Sequence, residues 1–369
     1  MKIVYFITKA EWGGAQAHLF ELIHYEALKG SEIVLLIGDS GRLVEKASQL
    51  SNVKIIIVKH LKADMSFLKD VKAIKEVRGI IKKENPDIFH IHSSKAGAIG
   101  RLAAINQNCK VVFTAHGWAF TENVENKKRM VYKLIESFLS KITDKIICVS
   151  SYDYQLGLKM KVINSNNAMV VYNGCIIPSA EKPKPIITKD STINIVMVAR
   201  FSHPKQQLQL IEAISLMKNS ERIKLNLVGE GKLFEQCLLL TKKLELENQV
   251  IFSGFQSDVD SFLINADIFC LISNYEGLPI SIIEAMRMSL PIVASNVGGV
   301  PELISNGRNG YLIERNDIKQ LAEKLDYIID NNLFDTMGNA SYLLAKEKFS
   351  IKQMFEKTNE VYQTLVQTT

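Results

Sequence analysis

Short apolar segments alternate with longer amphipathic segments along nearly the whole chain of 369 residues. The short segments have the length of strands, and between most of them apolar residues recur at helical spacing, as in residues 208–217 and 280–288. Strands that are apolar throughout and joined by helices belong to parallel sheets covered on both faces, so the pattern predicts an α/β fold. The predicted strands are residues 3–7, 32–37, 53–58, 88–91, 111–114, 145–149, 169–172, 194–198, 224–228, 250–252, 268–271, 291–294 and 310–312.

A polar, proline-rich segment divides these strands into two series. Pro178, Pro183 and Pro185 prevent a helix or a central strand from continuing through it. We therefore predict an N-terminal Rossmann-like domain (1–180), a linker (181–192), a C-terminal Rossmann-like domain (193–349) and a terminal amphipathic helix (350–369). The pattern leaves open whether this helix packs on the first domain. Ligands of open α/β sheets lie beyond the carboxyl ends of the strands, so we expect a site in a cleft between the domains.

The net charge of +6 is unevenly distributed. The first 180 residues carry 25 Lys and Arg against 16 Asp and Glu, whereas the remainder is net −3. The basic half indicates an anionic partner, such as a membrane surface, or a solvated surface. The basic residues are not concentrated in a recognised nucleic-acid module, so we expect no nucleic-acid partner. Five scattered cysteines, with no signal peptide or transmembrane segment, favour a reducing cytoplasm.

The segment from Glu276 to Glu284 has the pattern of a strand, a loop and the first turns of a helix. Gly277 lies in the loop, and Pro279 suits a first helical turn because its missing N–H needs no partner there. Such a junction directs free N–H groups at an anion, and Glu284 lies where it could reach a ribose. Arg200 and Lys205 follow another strand, where two cations would stabilise a departing diphosphate without a metal.

The first domain carries three comparable junctions. Gly13 and Gly14 open a helix after the first strand and would allow close approach of a phosphate or sugar. Ser93, Ser94 and Lys95 begin another helix, and His116 ends a strand beside a glycine. No dinucleotide fingerprint or P-loop is present.

Two patterns could suggest a metal, and neither is complete. His90 and His92 form a His-x-His pair with no evident third ligand, so we expect no metal there. Asp258 and Asp260 precede a short helical stretch, where a helix N-cap is the favoured interpretation. The basic amphipathic residues 127–139 could lie on an anionic membrane or pack on the core with a solvated basic face.

With these motifs, the chain resembles the GT4 family of retaining glycosyltransferases. The resemblance covers almost the whole chain and is strongest to bacterial enzymes of O-antigen, capsule or exopolysaccharide synthesis. It implies the GT-B fold, in which two Rossmann-like domains have parallel sheets facing a central cleft. The motifs that carry it are Trp12-Gly13-Gly14, residues 90–97, residues 114–118, residues 171–174, Arg200 with Lys205, residues 229–231, Glu276 with Glu284, and residues 295–299. Gln206 stands where a glycine often follows the lysine in this family.

The resemblance implies a role for each matching residue. A hexosyl- or N-acetylhexosaminyltransferase (EC 2.4) would use His116, Arg200, Lys205 and Glu276 in catalysis. The residues predicted to bind the donor are Gly13, Gly14, Arg200, Lys205, Gly229, Phe255, Glu276, Gly277, Leu278, Pro279, Ile280 and Glu284. The residues predicted to contact the acceptor are His92, Ser93, Ser94, Lys95, His116 and Trp118.

The reaction implied is sugar transfer from a nucleotide-sugar, with UDP before GDP as the nucleotide, to a polyprenyl-diphosphate-linked saccharide. Neither a metal nor another cofactor is expected. The enzyme would be cytoplasmic, peripheral on the inner face of the bacterial cytoplasmic membrane. Two alternatives stay open: a UDP-sugar 2-epimerase of the same architecture, which needs no acceptor, and a non-catalytic sugar-nucleotide-binding protein.

Overall fold

The computed structural model of the chain describes residues 1–62, 64, 66–121, 124–179, 188 and 191–367. The chain forms two units: unit 1 comprises Met1–Asn173 and Lys352–Thr369, and unit 2 comprises Gly174–Ile351. Apart from Thr188, Ser191 and Thr192, the predicted linker lies outside the described residues.

Unit 1 is built on a sheet of seven parallel strands in the order β3-β2-β1-β4-β5-β6-β7. The strands are β1 Lys2–Ile7, β2 Glu32–Ile37, β3 Val53–Ile57, β4 Ile88–His92, β5 Lys110–Ala115, β6 Lys145–Cys148 and β7 Ala168–Val170. The helices are α1 Gly14–Leu28, α2 Arg42–Ala47, α3 Phe67–Glu84, α4 Ser94–Ala103, α5 Asn126–Leu139 and α6 Ser151–Lys159.

Unit 2 contains a sheet of six parallel strands in the order β10-β9-β8-β11-β12-β13. The strands are β8 Ile193–Val198, β9 Ile223–Val228, β10 Val250–Gly254, β11 Ile268–Leu271, β12 Ile292–Ser295 and β13 Gly310–Ile313. The helices are α7 Gln207–Leu216, α8 Phe234–Lys243, α9 Asp260–Ile264, α10 Ile280–Arg287, α11 Ile318–Asp330 and α12 Phe334–Lys348.

The strand orders explain where ligands can bind. In both sheets the first three strands of the unit follow one another toward one edge, and the chain then crosses back to continue on the other side of the first strand. This reversal creates a crevice beside the first strand, which is the usual ligand position in doubly wound sheets. The crevice lies between the carboxyl ends of β1 and β4 in unit 1, and of β8 and β11 in unit 2.

The central strands are buried on both faces, as their apolar sequences predict. Ile33 to Ile37 of β2 and all of β11 are inaccessible to solvent or nearly so. Burial of both faces requires apolar residues at successive positions, since neighbouring side chains point to opposite sides of a strand. The predicted α/β fold is confirmed, and each predicted strand is present to within two residues at either end.

The terminal helix α13, Ile351–Gln367, belongs mainly to unit 1. Its Tyr362 hydroxyl lies 2.6 Å from His90 Nδ1 and 3.3 Å from the Tyr5 hydroxyl. Tyr25 stacks on Phe355 with ring centroids 4.1 Å apart. The last segment of the chain therefore packs against the first strands of the sheet.

Candidate functional site

The crevice of unit 2 holds a lysine–glutamate pair. Lys205 follows β8 and Glu276 follows β11, and the Lys205 ammonium donates to the Glu276 carboxylate. Both side chains are largely buried, with exposed fractions of 19% and 11%. The two residues are 71 positions apart, and they meet because β8 and β11 are neighbours in the sheet.

Backbone hydrogen bonds join the two loops that carry this pair. The Gln206 N–H donates to the Ile272 carbonyl at 2.9 Å, and the Asn274 N–H donates to the Pro204 carbonyl at 2.9 Å. The Ser273 hydroxyl also donates to Pro204. These bonds fix the loop that carries Lys205 relative to the loop that carries Glu276.

A third loop supports Glu276 from behind. The Gly299 N–H donates to the Gly277 carbonyl at 2.9 Å. Gly298 has a φ of +55°, and a Cβ at this position would lie 1.8 Å from the Glu276 carbonyl oxygen. Only glycine permits both this backbone conformation and this approach, so Gly298 determines the position of the Glu276 loop.

The remaining predicted donor residues of this segment lie around the start of α10. Pro279 is the N-cap rather than a residue of the first turn, and the helix begins at Ile280. Gly277 is half-buried in the loop, Leu278 is buried, and Glu284 lies half-buried in the helix. The segment thus has the predicted strand–loop–helix form, with the helix starting one residue later.

The other predicted donor residues of unit 2 lie beside β8. Gly229 has a φ of +142°, and a Cβ there would lie 2.1 Å from the Ala199 carbonyl oxygen, so the β9 loop passes tightly over the chain before Arg200. Arg200 itself is exposed. The Phe255 N–H donates to the Glu230 carboxylate at 3.3 Å, and its ring is exposed.

The crevice of unit 1 is formed by β1, β4 and the helices that follow them. Gly13 is the N-cap of α1 and Gly14 is its first residue. Ser93 is the N-cap of α4, yet its hydroxyl lies 2.8 Å from the Thr8 hydroxyl instead of capping the helix. Ser93 has a φ of +68°, a costly conformation for a residue with a Cβ that is commonest at functional sites.

Three histidine rings meet at this crevice. His92 ends β4, His116 follows β5 and His18 lies on α1. His92 Nδ1 is 3.0 Å from His116 Nε2, and the rings of His18 and His116 meet edge to face with centroids 5.0 Å apart. His92 is fully buried, so its predicted contact with an acceptor is not available without movement, whereas His116 is half-buried.

Burial controls the protonation of these rings. Desolvation lowers the pKa of His18 to about 4, although a hydrogen bond with Asn173 raises it in part. Desolvation, together with the neighbouring histidines, holds the pKa values of His92 and His116 well below their usual range. The cluster is therefore neutral at pH 7 and offers lone pairs rather than positive charge.

Two other predicted acceptor contacts are engaged within unit 1. The Lys95 ammonium lies 3.0 Å from an Asp70 carboxylate oxygen and also donates to the Asp64 carbonyl. Trp118 is 3% exposed and donates its indole N–H to the Asp153 carbonyl at 2.7 Å. Trp118 therefore lies in the core of unit 1, and its predicted acceptor contact stays a prediction. Ser94 is exposed at the first position of α4.

The Asp258–Asp260 pattern is not an N-cap as predicted, because Val259 occupies that position. The Asp258 carboxylate accepts the N–H of Asp260, and the Asp260 carboxylate pairs with Arg287. Among the described residues, the group with metal-binding geometry is instead His18, His92 and His116.

Sequence reasoning missed His18 and Thr8. A single histidine inside an amphipathic helix carries no distinguishing pattern, and a threonine at a strand end is common. The available signal was a helical-wheel projection of α1, which places His18 on the buried face of the helix beside Leu19 and Leu22.

Two doubly wound parallel sheets, each with polar residues at its crevice, define a two-domain α/β protein of the Rossmann-like class. None of the described helices is both long and apolar enough to cross a lipid bilayer. Residues 12–176 match the model of Glycosyltransferase Family 4, and residues 179–343 match that of Glycosyl transferases group 1.

Relatives and solved structures agree with these matches. An uncharacterized glycosyltransferase of Haemophilus influenzae is 30% identical over 82% of this chain and 84% of its own length. An Escherichia coli UDP-Gal:alpha-D-GlcNAc-diphosphoundecaprenol alpha-1,3-galactosyltransferase is 29% identical over 94% of this chain and 92% of its own. The structure of Anabaena HepE in complex with UDP-glucose superposes with a TM-score of 0.85 at 19% identity, covering 99% of this chain and 100% of that one.

The chain belongs to glycosyltransferase family 4, has the GT-B fold class and is a glycosyltransferase. The predicted family, fold class and enzyme class are confirmed. The roles predicted for individual residues stay predictions.

Proposed function

We propose that the enzyme transfers a sugar from a UDP-sugar to a polyprenyl-diphosphate-linked saccharide, with retention of configuration, in bacterial surface polysaccharide synthesis. The observation that carries the proposal is the Lys205–Glu276 pair at the crevice of unit 2. The name of the Escherichia coli galactosyltransferase, a UDP-Gal enzyme with a diphosphoundecaprenol acceptor, supports the substrate classes.

The Lys205–Glu276 pair gives a physical basis for donor binding. A diphosphate brings two or more negative charges and competes with Glu276 for the Lys205 ammonium. When the ammonium turns to the diphosphate, the Glu276 carboxylate becomes available to accept hydroxyls of the donor sugar. Because Lys205 leaves Glu276 when it binds the diphosphate, binding of the diphosphate and binding of the sugar are coupled.

The chemical step follows from the same groups. As the C1–O bond breaks, negative charge accumulates on the departing diphosphate, and Arg200 and Lys205 stabilise it. The acceptor hydroxyl attacks the same face of the oxocarbenium-like sugar, and a donor phosphate oxygen takes its proton. Glu284 holds the ribose, and His116 contacts the donor sugar or positions the acceptor. Neither a metal nor another cofactor enters this scheme.

Lys205→Ala and Glu276→Ala test this assignment. We expect each to reduce kcat with the best donor of a UDP-, GDP- and dTDP-sugar panel by about 10²–10³, the usual cost of losing one preorganised charge-stabilising group. Lys218→Ala is the matched control, because Lys218 forms an exposed pair with Asp330 in the same unit. Transfer at the wild-type rate by both site variants would refute the site. Epimerisation of a UDP-sugar without acceptor would refute the transferase.

We also propose that α5 attaches the enzyme to the inner face of the cytoplasmic membrane. Its buried side is formed by Glu136 and Leu139. The other side exposes apolar side chains to 44–62% of their surface, namely Met130, Val131, Leu134, Ile135 and Phe138. Lys127, Lys128, Arg129 and Lys133 add positive charge to the same helix. An apolar stripe with flanking cations suits the boundary of an anionic bilayer.

Sedimentation with vesicles tests the helix. We expect wild-type enzyme to pellet with phosphatidylglycerol-containing vesicles and less with phosphatidylcholine alone. Leu134→Glu should abolish most of the binding, because it removes apolar area and adds repulsion. Leu239→Glu on α8, where Leu239 is 68% exposed, is the control and should bind normally. Equal binding by Leu134→Glu would exclude α5 as the attachment site.

A further inference from the structure

His18, His92 and His116 come from three separate elements, and their rings lie close together. One ring nitrogen of each lies within 4.8 Å of those of the other two. The sequence offered only the His90–His92 pair, and His90 is occupied elsewhere: its ring nitrogens lie 2.6 Å from the Tyr362 hydroxyl and 2.7 Å from the Thr114 hydroxyl. In the folded chain, the residues beside His92 are instead His18 of α1 and His116 after β5, which together make three histidines.

Two nitrogens of this cluster lack a hydrogen-bond partner. His18 Nδ1 and His92 Nε2 are both buried and unpartnered. Leaving a buried polar atom unpaired costs about 1–3 kcal/mol, so such atoms call for an explanation when they occur together. Neutral imidazole nitrogens are ligands for zinc, copper and nickel, whereas magnesium, calcium and manganese favour oxygen ligands.

We propose that His18, His92 and His116 form a binding site for a divalent transition metal of the zinc type, and that occupation of this site inhibits the transferase. Three histidines would leave a fourth coordination position open to water. The inhibitory part rests on the role proposed above for His116, since a metal-bound ring could no longer contact a substrate.

The geometry requires only small ring movements. Nitrogens bound at about 2.0–2.1 Å to a tetrahedral zinc ion lie roughly 3.4 Å apart, within the range that the three rings span. Coordination through His92 Nδ1 or His116 Nε2 requires that the hydrogen bond between these two atoms be given up. The ring that donates it moves that proton to its other nitrogen, so both rings stay neutral and each presents a lone pair to the metal.

Binding is tested directly with Co²⁺, which reports tetrahedral coordination by visible absorption and is displaced by Zn²⁺. We expect tag-free, chelator-treated enzyme to bind one ion per chain with a tetrahedral spectrum. His18→Gln and His92→Gln should each weaken binding at least tenfold. His60→Gln is the control, because His60 lies at the surface and pairs with Glu76. No Co²⁺ spectrum in wild type, or one lost only in His60→Gln, would overturn the site.

Two further measurements test the metal site, and the first of them requires neither a folded variant nor a sugar-transfer assay. X-ray absorption of the wild-type zinc complex should show three imidazole ligands, and one or none would overturn the site. Zn²⁺ should inhibit transfer by wild type but not by His18→Gln. Metal binding without inhibition would overturn the inhibitory role alone. Absence of transfer under metal-free conditions with every donor would count against the proposed function and not against the metal site.

Discussion

A buried ion pair attaches α5 to the rest of unit 1. Arg101 of α4 is fully buried, and its Nη2 lies 2.9 and 3.1 Å from the two carboxylate oxygens of Glu136. Arg101 Nε donates to the Gly97 carbonyl at 2.8 Å, and the guanidinium lies over the Phe113 ring at 4.1 Å. Glu136 and Leu139 are the buried residues of α5, and Tyr132 packs partly against the core, so we expect the ion pair to make a large contribution to the attachment of the helix.

The expected cost of breaking the pair follows from its burial. Glu136→Ala leaves the Arg101 guanidinium buried without a counter-charge, which typically costs about 3–5 kcal/mol. Domains of this size are stable by about 5–15 kcal/mol, so the variant loses a large share of the stability of unit 1. Replacing both partners, Arg101→Met with Glu136→Leu, removes the uncompensated charge and should recover most of the loss.

Urea denaturation followed by tryptophan fluorescence measures this effect in unit 1 specifically. The chain has two tryptophans, Trp12 and Trp118, and both belong to unit 1. Lys128→Ala on the same helix is the control, because its pair with Glu125 is exposed and should be worth at most about 1 kcal/mol. A loss below 1 kcal/mol for Glu136→Ala, or a double variant no more stable than the single one, would refute the reasoning.

Two further predictions concern the crevices. Gly298→Ala should displace the Glu276 loop and reduce transfer at least tenfold. Gly307 has a φ of +81° but open space around it, so Gly307→Ala should cost only about 1 kcal/mol of stability and leave activity unchanged. Equal activity of the two variants would contradict this prediction. Burial lowers the pKa of His18 from 6.5 to about 4, so the unfolded chain binds more protons between these values and stability falls as the pH decreases through them. In metal-free buffer at pH 5, we expect protonation of His18 to lower the free energy of unfolding of unit 1 by about 2 kcal/mol. If stability depended on pH in the same way in His18→Gln as in wild type, His18 would be excluded as the source of the loss.

The fold was largely predictable because parallel sheets impose a simple rule on sequence. The strand β2 reads Glu-Ile-Val-Leu-Leu-Ile, and no alternation of polar residues interrupts it. A strand with one solvated face could not have this composition, so burial on both sides could be inferred without knowing any contact. Boundaries were harder: Pro279 suits both a first helical turn and an N-cap, and hydrogen bonding beyond the local sequence decides between them.

Side-chain environments were predictable only in part. Trp118 follows His116 by two residues after the end of β5, and the resemblance to the GT4 family implied that it contacts the acceptor. The structure instead directs its indole into the core, where Asp153 of α6 accepts the N–H. A strand end determines where a residue's backbone lies, but the helices that pack beside it determine whether the side chain meets solvent or core. That second factor depends on tertiary contacts that no local pattern encodes.

The pairing of Lys205 with Glu276 shows what topology adds to motif recognition. Each residue was singled out because it follows a strand, and neither motif specifies the other as its partner across 71 positions. The order β10-β9-β8-β11-β12-β13 makes β8 and β11 neighbours, and parallel strands bring their carboxyl ends to the same edge. A ligand that binds between the ends of these two strands would therefore lie close to both charges. A donor with an anionic diphosphate and a hydroxyl-rich sugar satisfies the lysine and the glutamate together, whereas a simple anion would leave Glu276 without its partner.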